Sequence, residues 1–189
     1  TRFRGPRRRP RKSAQAAIAS LATRTIRGLP LATRTGGPHA QAFSGLRSPR
    51  HAQRTVIERT RVLFVCLGNI CRSPTAEAVF REAAARHGLL HRVEVDSAGT
   101  GDWHVGNPPD YRAIEHAARR GYDLRPLRAR QITRHDFDRF HWVLAMDEAV
   151  LRDVSRMRPA GFGGRLGLFM DWVPEAGSRD VPDPYDEGP

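Results

Sequence analysis

The sequence predicts an α/β protein, a three-layer sandwich built on a four-stranded parallel sheet. Three observations predict it. After Arg61 the run V-L-F-V-C is continuously apolar, as a strand buried on both faces must be. Directly downstream lies S-P-T-A-E-A-V-F-R-E-A-A-A-R-H-G, a helix with punctuation at both ends. Beyond it, strand-like and helix-like segments keep alternating, which implies parallel pairing through right-handed crossovers.

Each element has its own signal. Order is expected to begin near Arg61, with R-V-L-F-V-C as the first strand. In the first helix Ser73 suits the N-cap, Pro74 the first helical position and Gly88 the end. R-V-E-V-D-S-A-G is a second strand, followed by a polar, Gly/Pro-rich loop to Pro109. Asp110–Arg120 reads as a helix stopped by Gly121, and His135–Phe140 as a short helix. H-W-V-L-A-M is the third strand, Asp147–Met157 the next helix and R-L-G-L-F-M the fourth strand. The remaining residues read as a loop. A sheet without a closing helix on one face would expose apolar surface, so a C-terminal helix is expected to be missing.

The 189 residues suffice for one domain with a sizeable core, but charge divides them unevenly. Residues 1–60 hold thirteen arginines, Lys12 and a single acid, Glu58, whereas residues 61–189 are close to neutral. The first sixty residues read as a basic, disordered extension that cannot bury enough apolar surface to offset its ordering entropy. L-A-T-R-T occurs twice in it, too few copies for a repeat fold. A nucleic-acid contact is disfavoured, because only Phe3 and Phe43 accompany the arginines as aromatics. A targeting peptide ranks last. No run approaches the roughly 20 apolar residues of a membrane helix, and a secretory h-region is lacking. Two cysteines make no disulfide framework, so a reducing, cytoplasmic setting and a monomer are expected. No metal-ligand cluster is visible; neither a metal nor another cofactor is expected, and chelators should have no effect.

Both cysteines fall in V-C-L-G-N-I-C-R-S-P, Val65 to Pro74. The stretch joins a buried strand to a helix N-terminus, where open α/β sheets bind ligands. A helix N-terminus offers free N–H groups and a positive dipole end, and a short loop before it can wrap its amides around one anion as a nest. Gly68 lets the backbone approach closely, and Asn69 tolerates the left-handed conformation such a loop needs. Arg72 supplies a planar fork for two phosphate oxygens. At the base of this cradle the Cys66 thiol should ionise below the usual ~8.5 and act as a nucleophile toward phosphorus. The plainer reading is two small buried residues and a surface arginine. C-x5-R alone arises often by chance; strand, C-x-G-N-x-C-R-S-P and helix together are far more specific.

The stretch resembles the phosphate-binding loop of the low-molecular-weight protein tyrosine phosphatases. S-A-G-T-G-D-W-H-V-G-N-P-P-D-Y-R (97–112), R-A-R-Q-I-T (128–133), L-A-M-D-E (144–148), L-R-D (151–153) and D-P-Y (183–185) are similar to that family in order and spacing. The resemblance makes residues 61–189 a C-terminally truncated domain of this family and leaves residues 1–60 without a counterpart. It implies hydrolysis of phosphotyrosyl proteins or peptides through a phosphocysteine at Cys66. The amides of Leu67, Gly68, Asn69, Ile70, Cys71, Arg72 and Ser73, with the Arg72 guanidinium, would hold the phosphoryl oxygens, or another oxyanion. Ser73 would assist departure of the Cys66 sulfur, and Asn69 would brace the loop. Asp183 would be general acid and then base, although D-P-Y by itself more often marks a turn. Trp103 and Tyr185 would form the aromatic walls of the cleft, against an ordinary packing role. Cys71 would close a protective disulfide with Cys66 under peroxide, against the alternative of an inert packing residue.

Two positions depart from the family pattern. Asp186 stands where a second aromatic is common, and Leu127 where some members have a loop-bracing histidine, so a simpler network around Asn69 is expected. Related chemistries compete. A thioredoxin-linked arsenate reductase needs further downstream cysteines, and none follows Cys71. Protein-arginine phosphatases tend to carry threonine where Ile70 stands, and an apolar Ile70 suits an aryl phosphate better. A basic-arm nucleic-acid-binding protein would bind in a steeply salt-dependent way and be indifferent to Cys66. A silent phosphate-binding module would not need Cys66, Arg72 and Asp183 together.

Overall fold

Alternate residues of the first strand, β1 (Thr60–Cys66), enter two different cores. Val62, Phe64 and Cys66 face one side of the sheet, and Leu63 and Val65 the other. This is the period-two alternation of a strand with apolar residues on both faces. The structure, a computed structural model, describes residues 59–172 and 177–183. The basic extension through residue 58, Tyr185 and Asp186 therefore lie outside the described residues, as does the question of a closing helix.

The other strands are β2 (Val93–Gly99), β3 (Trp142–Ala145) and β4 (Arg165–Leu168). They form one four-stranded sheet in the order β2-β1-β3-β4, parallel at every pairing. The chain leaves β1 toward one edge to make β2, then crosses back to β3 on the other side. The carboxyl ends of β1 and β3 therefore flank a topological switch point, the place where such sheets leave a crevice.

The helices are α1 (Arg72–Arg86), α2 (Tyr111–Ala118), α3 (Asp136–Arg139) and α4 (Glu148–Met157). Helix α1 packs on one face of the sheet, where Phe64 meets Phe80 and Phe169 edge to face at centroid distances of 5.8 and 5.7 Å. Helices α3 and α4 cover the opposite face through Phe137, Val150 and Val154. Helix α2 forms a smaller cluster in which Ala113 and Ala117 pack with Leu124, Leu127 and the side of Cys71. Among the described residues no helix is long and apolar enough to cross a membrane.

The expected sheet and helix succession holds, with boundaries shifted by one or two residues. One local expectation fails. Ser73 does not cap α1: the helix begins at Arg72, Cys71 holds the N-cap position, and no side chain caps it. Its hydroxyl instead points back to the strand end, where a sulfur and a side-chain amide compete successfully for it. Gly88, at φ +67°, ends the helix as expected. Asp110 and Asp147 are true N-caps, accepting from the N–H groups of Arg112 and Val150.

Phe64 is fully buried and touches elements on both of its flanks. Phe64→Ala should lower unfolding free energy by about 3–5 kcal/mol, read from the midpoint of chemical denaturation.

Candidate active site

Residues 67–71 run from the carboxyl end of β1 to the start of α1. The loop's carbonyls turn outward: those of Cys66, Leu67 and Ile70 accept from the N–H groups of Thr100, Gly101 and Asp110 at 2.8–3.0 Å. Of the N–H groups, that of Asn69 points to the Cys66 sulfur at 3.3 Å. Those of Gly68, Ile70, Cys71, Arg72 and Ser73 meet no protein acceptor among the described residues. Asn69 adopts φ 54°, the left-handed conformation expected of it. Gly99, at the end of β2, makes room for the loop, because a Cβ there would lie 2.8 Å from the Leu67 carbonyl oxygen.

The Cys66 side chain is buried, and Ser73 Oγ lies 3.0 Å from its sulfur. Ser73 accepts from Asn69 Nδ2 at 2.9 Å, so its one hydrogen is left to face the sulfur or the Ala98 carbonyl. Asn69 Nδ2 also donates to Ser97 Oγ at 2.9 Å, while its Oδ1 accepts from the Arg130 backbone N–H at 2.9 Å. Ser97 in turn donates to Glu77 Oε2 at 2.7 Å. Burial pushes the Glu77 carboxyl above the usual range, against the Ser97 hydrogen bond and the Arg81 charge. The Asn69 side chain thus uses both its donors and its acceptor, and Leu127 takes no part in that network. Leu127 packs into the α2 cluster, and the counterion of Glu77 is Arg81, one helical turn on at 2.5 Å.

Arg72 is 8% exposed and held by two carboxylates. Its Nη1 pairs with Asp147 Oδ2 at 2.6 Å and its Nη2 with Asp183 Oδ2 at 2.7 Å. Nη1 also reaches the Val181 carbonyl at 3.4 Å. The other oxygen of Asp147 caps α4 by accepting from Val150 N–H at 2.7 Å, so one carboxylate fixes both the helix and the guanidinium. A cleft of about 360 Å³ opens beside these groups, lined by Leu67, Arg72, Asp147, Val181, Pro182 and Asp183.

The loop after β2 comes up against the cradle. The His104 ring lies against Gly68, where a Cβ would stand 3.0 Å from its Cδ2. A side chain at 68 would have to push the His104 ring aside, whereas the φ of Gly68 is not positive. Trp103 is 60% exposed, so it is no core residue; its ring lies across Gly101, where a Cβ would come within 2.0 Å. Ile70 and Cys71 are half-buried in the loop. Both cysteines are free thiols, and the Cys71 thiol is pushed up to about 12 by burial and then by the nearby charges of Asp183, Cys66 and Asp110.

The structure therefore brings together Cys66, the loop 67–73 and Asp183, which are distant in sequence, and leaves Trp103 exposed on the adjoining loop. Asp147, Ser97 and Glu77 were not identified from the sequence as site residues. Asp147 carried a signal, an acid between a strand and a helix, but that reads as a cap and says nothing about Arg72. Ser97 and Glu77 carried none.

A strand–loop–helix turn whose amides face inward, with a buried thiol, a paired arginine and an acid from a separate loop, is an anion-binding cradle of the α/β class. The sequence model of the family described as "Low molecular weight phosphotyrosine protein phosphatase" matches residues 61–189, and the chain belongs to that family. It is 46% identical over 126 residues to the low molecular weight phosphotyrosine protein phosphatase of Schizosaccharomyces pombe, covering 66% of this chain and 80% of that one. The crystal structure of YfkJ from Bacillus subtilis is similar with a TM-score of 0.65 and 43% identity, covering 70% of this chain and 83% of that one. The structure titled DARP, drosophila arginine phosphatase, is similar with a TM-score of 0.64 and 30% identity, over 68% and 82% of the two chains.

Asn69→Ala removes two donors and an acceptor and places alanine at φ 54°. The variant should lose about 2–3 kcal/mol of stability in chemical denaturation and bind orthovanadate more weakly.

Proposed function

We propose that the chain hydrolyses phosphotyrosine in proteins or peptides, and small aryl phosphates, through a phosphocysteine intermediate on Cys66. The observation that carries this reading is the ion pair between Asp183 and Arg72, which sets an acid at the mouth of the cradle that holds Cys66. The Cys66 thiolate attacks phosphorus as the bond to the tyrosyl oxygen breaks. Asp183, as the carboxylic acid, gives its proton to that oxygen. Asp183, now a carboxylate, takes a proton from a water that attacks the phosphocysteine, and the sulfur leaves as a thiolate assisted by Ser73. Inorganic phosphate is released. The loop amides and Arg72 stabilise the charge on the equatorial oxygens in both steps.

The entering phosphoryl group competes with Asp183 for Arg72; the freed carboxylate takes up a proton, from the substrate monoanion or from water, and that proton goes to the leaving oxygen. Trp103, Ile70 and Leu67 supply apolar surface beside the cradle, which favours a flat aryl ester over a guanidino phosphoramidate. Hydrolysis of phosphoarginine faster than of phosphotyrosine would reverse this preference. A thiol nucleophile functions where thiols stay reduced, as in the cytoplasm.

Cys71 serves as the resolving thiol. Peroxide oxidises the Cys66 thiolate to a sulfenic acid, and attack by Cys71 on that sulfur forms the disulfide and expels water. Because the Cys71 thiol titrates near 12, its thiolate fraction, and hence the rate of disulfide closure, should rise with pH across the neutral and mildly alkaline range. Stopped-flow thiol loss after one equivalent of peroxide checks this; a flat pH dependence would remove Cys71 from the role.

Cys66→Ser should be inactive on phenyl phosphate, and Asp183→Ala slower by roughly 10²–10⁴, the usual worth of a general acid. Steady-state release of phosphate measures both, and full activity in the Cys66→Ser protein would end this reading.

A further inference from the structure

We infer that Arg179 is a positioning residue for the general acid, acting as an ionic clamp that holds the Asp183 loop in register over the cradle. The inference rests on the phosphatase reading of Cys66 and Asp183. Residues 177–183 approach the site with little apolar anchorage: Val181 is buried, whereas Ser178, Arg179, Asp180 and Pro182 are exposed. The backbone tie at Val181 is one hydrogen bond, from its N–H to the Met146 carbonyl at 2.8 Å. Arg72 holds the segment from the cradle side, through Asp183 Oδ2 and the Val181 carbonyl, and charged side chains just upstream hold it from the surface.

Arg179 reaches two elements at once. Its Nη1 pairs with Glu148 Oε1 in the first turn of α4 at 2.8 Å. Its Nε pairs with Asp171 Oδ1, in the 3₁₀ turn Phe169–Trp172 that follows β4, at 3.2 Å. Asp180 Oδ1 adds a third tie by accepting the Glu148 backbone N–H at 3.1 Å. Ser178 Oγ stiffens the strap between them, donating to the Asp180 carbonyl at 2.9 Å. Arg179 therefore joins the Asp183 loop to the same helix end that Asp147 caps, and Asp147 is the residue that aims Arg72. The acid and the phosphate-binding guanidinium are registered to one another through the start of α4.

Ion pairs this exposed add little to global stability. Their consequence is local: a carboxyl that must reach the leaving oxygen loses rate steeply with small displacements. A loosened loop should impair proton donation and spare anion binding, which Arg72 and the loop amides perform.

The test compares Arg179→Ala, Arg179→Gln and Arg179→Lys with the parent chain. kcat/KM is measured on phenyl phosphate, whose leaving group needs the proton, and on pentafluorophenyl phosphate, whose leaving group does not. Arg179→Ala and Arg179→Gln should lose about three- to tenfold on phenyl phosphate and less than twofold on the fluorinated ester. Orthovanadate inhibition should stay within twofold, and Val181 amide exchange should quicken. Arg179→Lys should recover most of the loss. An equal fall on both esters, a matching loss of orthovanadate binding, or unchanged phenyl phosphate hydrolysis would each overturn the clamp. Asp183→Ala run alongside separates the two levels: if it too is indifferent to the leaving group, the phosphatase reading fails, not the clamp alone.

Discussion

The site depends on how one buried cation is neutralised. Arg72 sits at the first residue of α1, 8% exposed, where an unpaired guanidinium would be costly. Two carboxylates meet it from different connections: Asp147 from the turn after β3, and Asp183 from the segment beyond β4. To satisfy that charge, the ends of three chain segments have to converge at the carboxyl edge of the sheet. The catalytic constellation is the geometry of that convergence. On the proposed reading a phosphoryl dianion brings two negative charges where the displaced carboxylate brought one, so the pocket is preorganised for an anion even while Asp183 fills part of the role.

Around the cation the backbone is held in a conformation it would not choose alone. Asn69 at φ 54° is sustained by hydrogen bonds to Ser73, Ser97 and the Arg130 N–H. Those partners are themselves fixed. Ser97 is on β2 and is bonded to Glu77, and Arg130 binds Asp96 and the buried Asp136 with its side chain. Local strain of this kind persists where surrounding structure over-determines it. Here the determinants lie on β2, α1 and the 128–133 segment, so the cradle's shape is a property of the whole α/β layer.

The two sides of the cleft are held differently. On one side the loop after β2 is tied to the cradle by backbone hydrogen bonds from Thr100 and Gly101, with Gly99 permitting an approach of the Leu67–Asn69 backbone that a methyl group would block. On the other, the segment bearing Asp183 is tied by the buried Arg72, by ion pairs of Arg179 on the exposed surface and by the apolar side chain of Val181. On the proposed reading, a cradle braced by backbone and an acid held by ion pairs suit a reaction in which Asp183 leaves Arg72 and then acts twice, as acid and as base.

Much of this was legible in the sequence. Apolar β1, the capped helices and their alternation specify a parallel sheet, because burying both faces of each strand demands it. The apolar strand, the C-x-G-N-x-C-R-S-P turn and the helix that follows together point to the cradle, because a short strand-to-helix loop can ring an anion with amides. What periodicity could not reveal are pairings between distant residues: Asp147 with Arg72, and Ser97 and Glu77 behind Asn69. Ser73 shows the reason most plainly. Its sequence neighbourhood says helix cap, and the local rule is sound, but a buried sulfur and the Asn69 amide bind its hydroxyl instead. The chain alone determined which segments form strands and helices and where an anion would sit, since those follow from local pattern. The folded sheet decided which charges meet, since that depends on which strand ends are brought side by side.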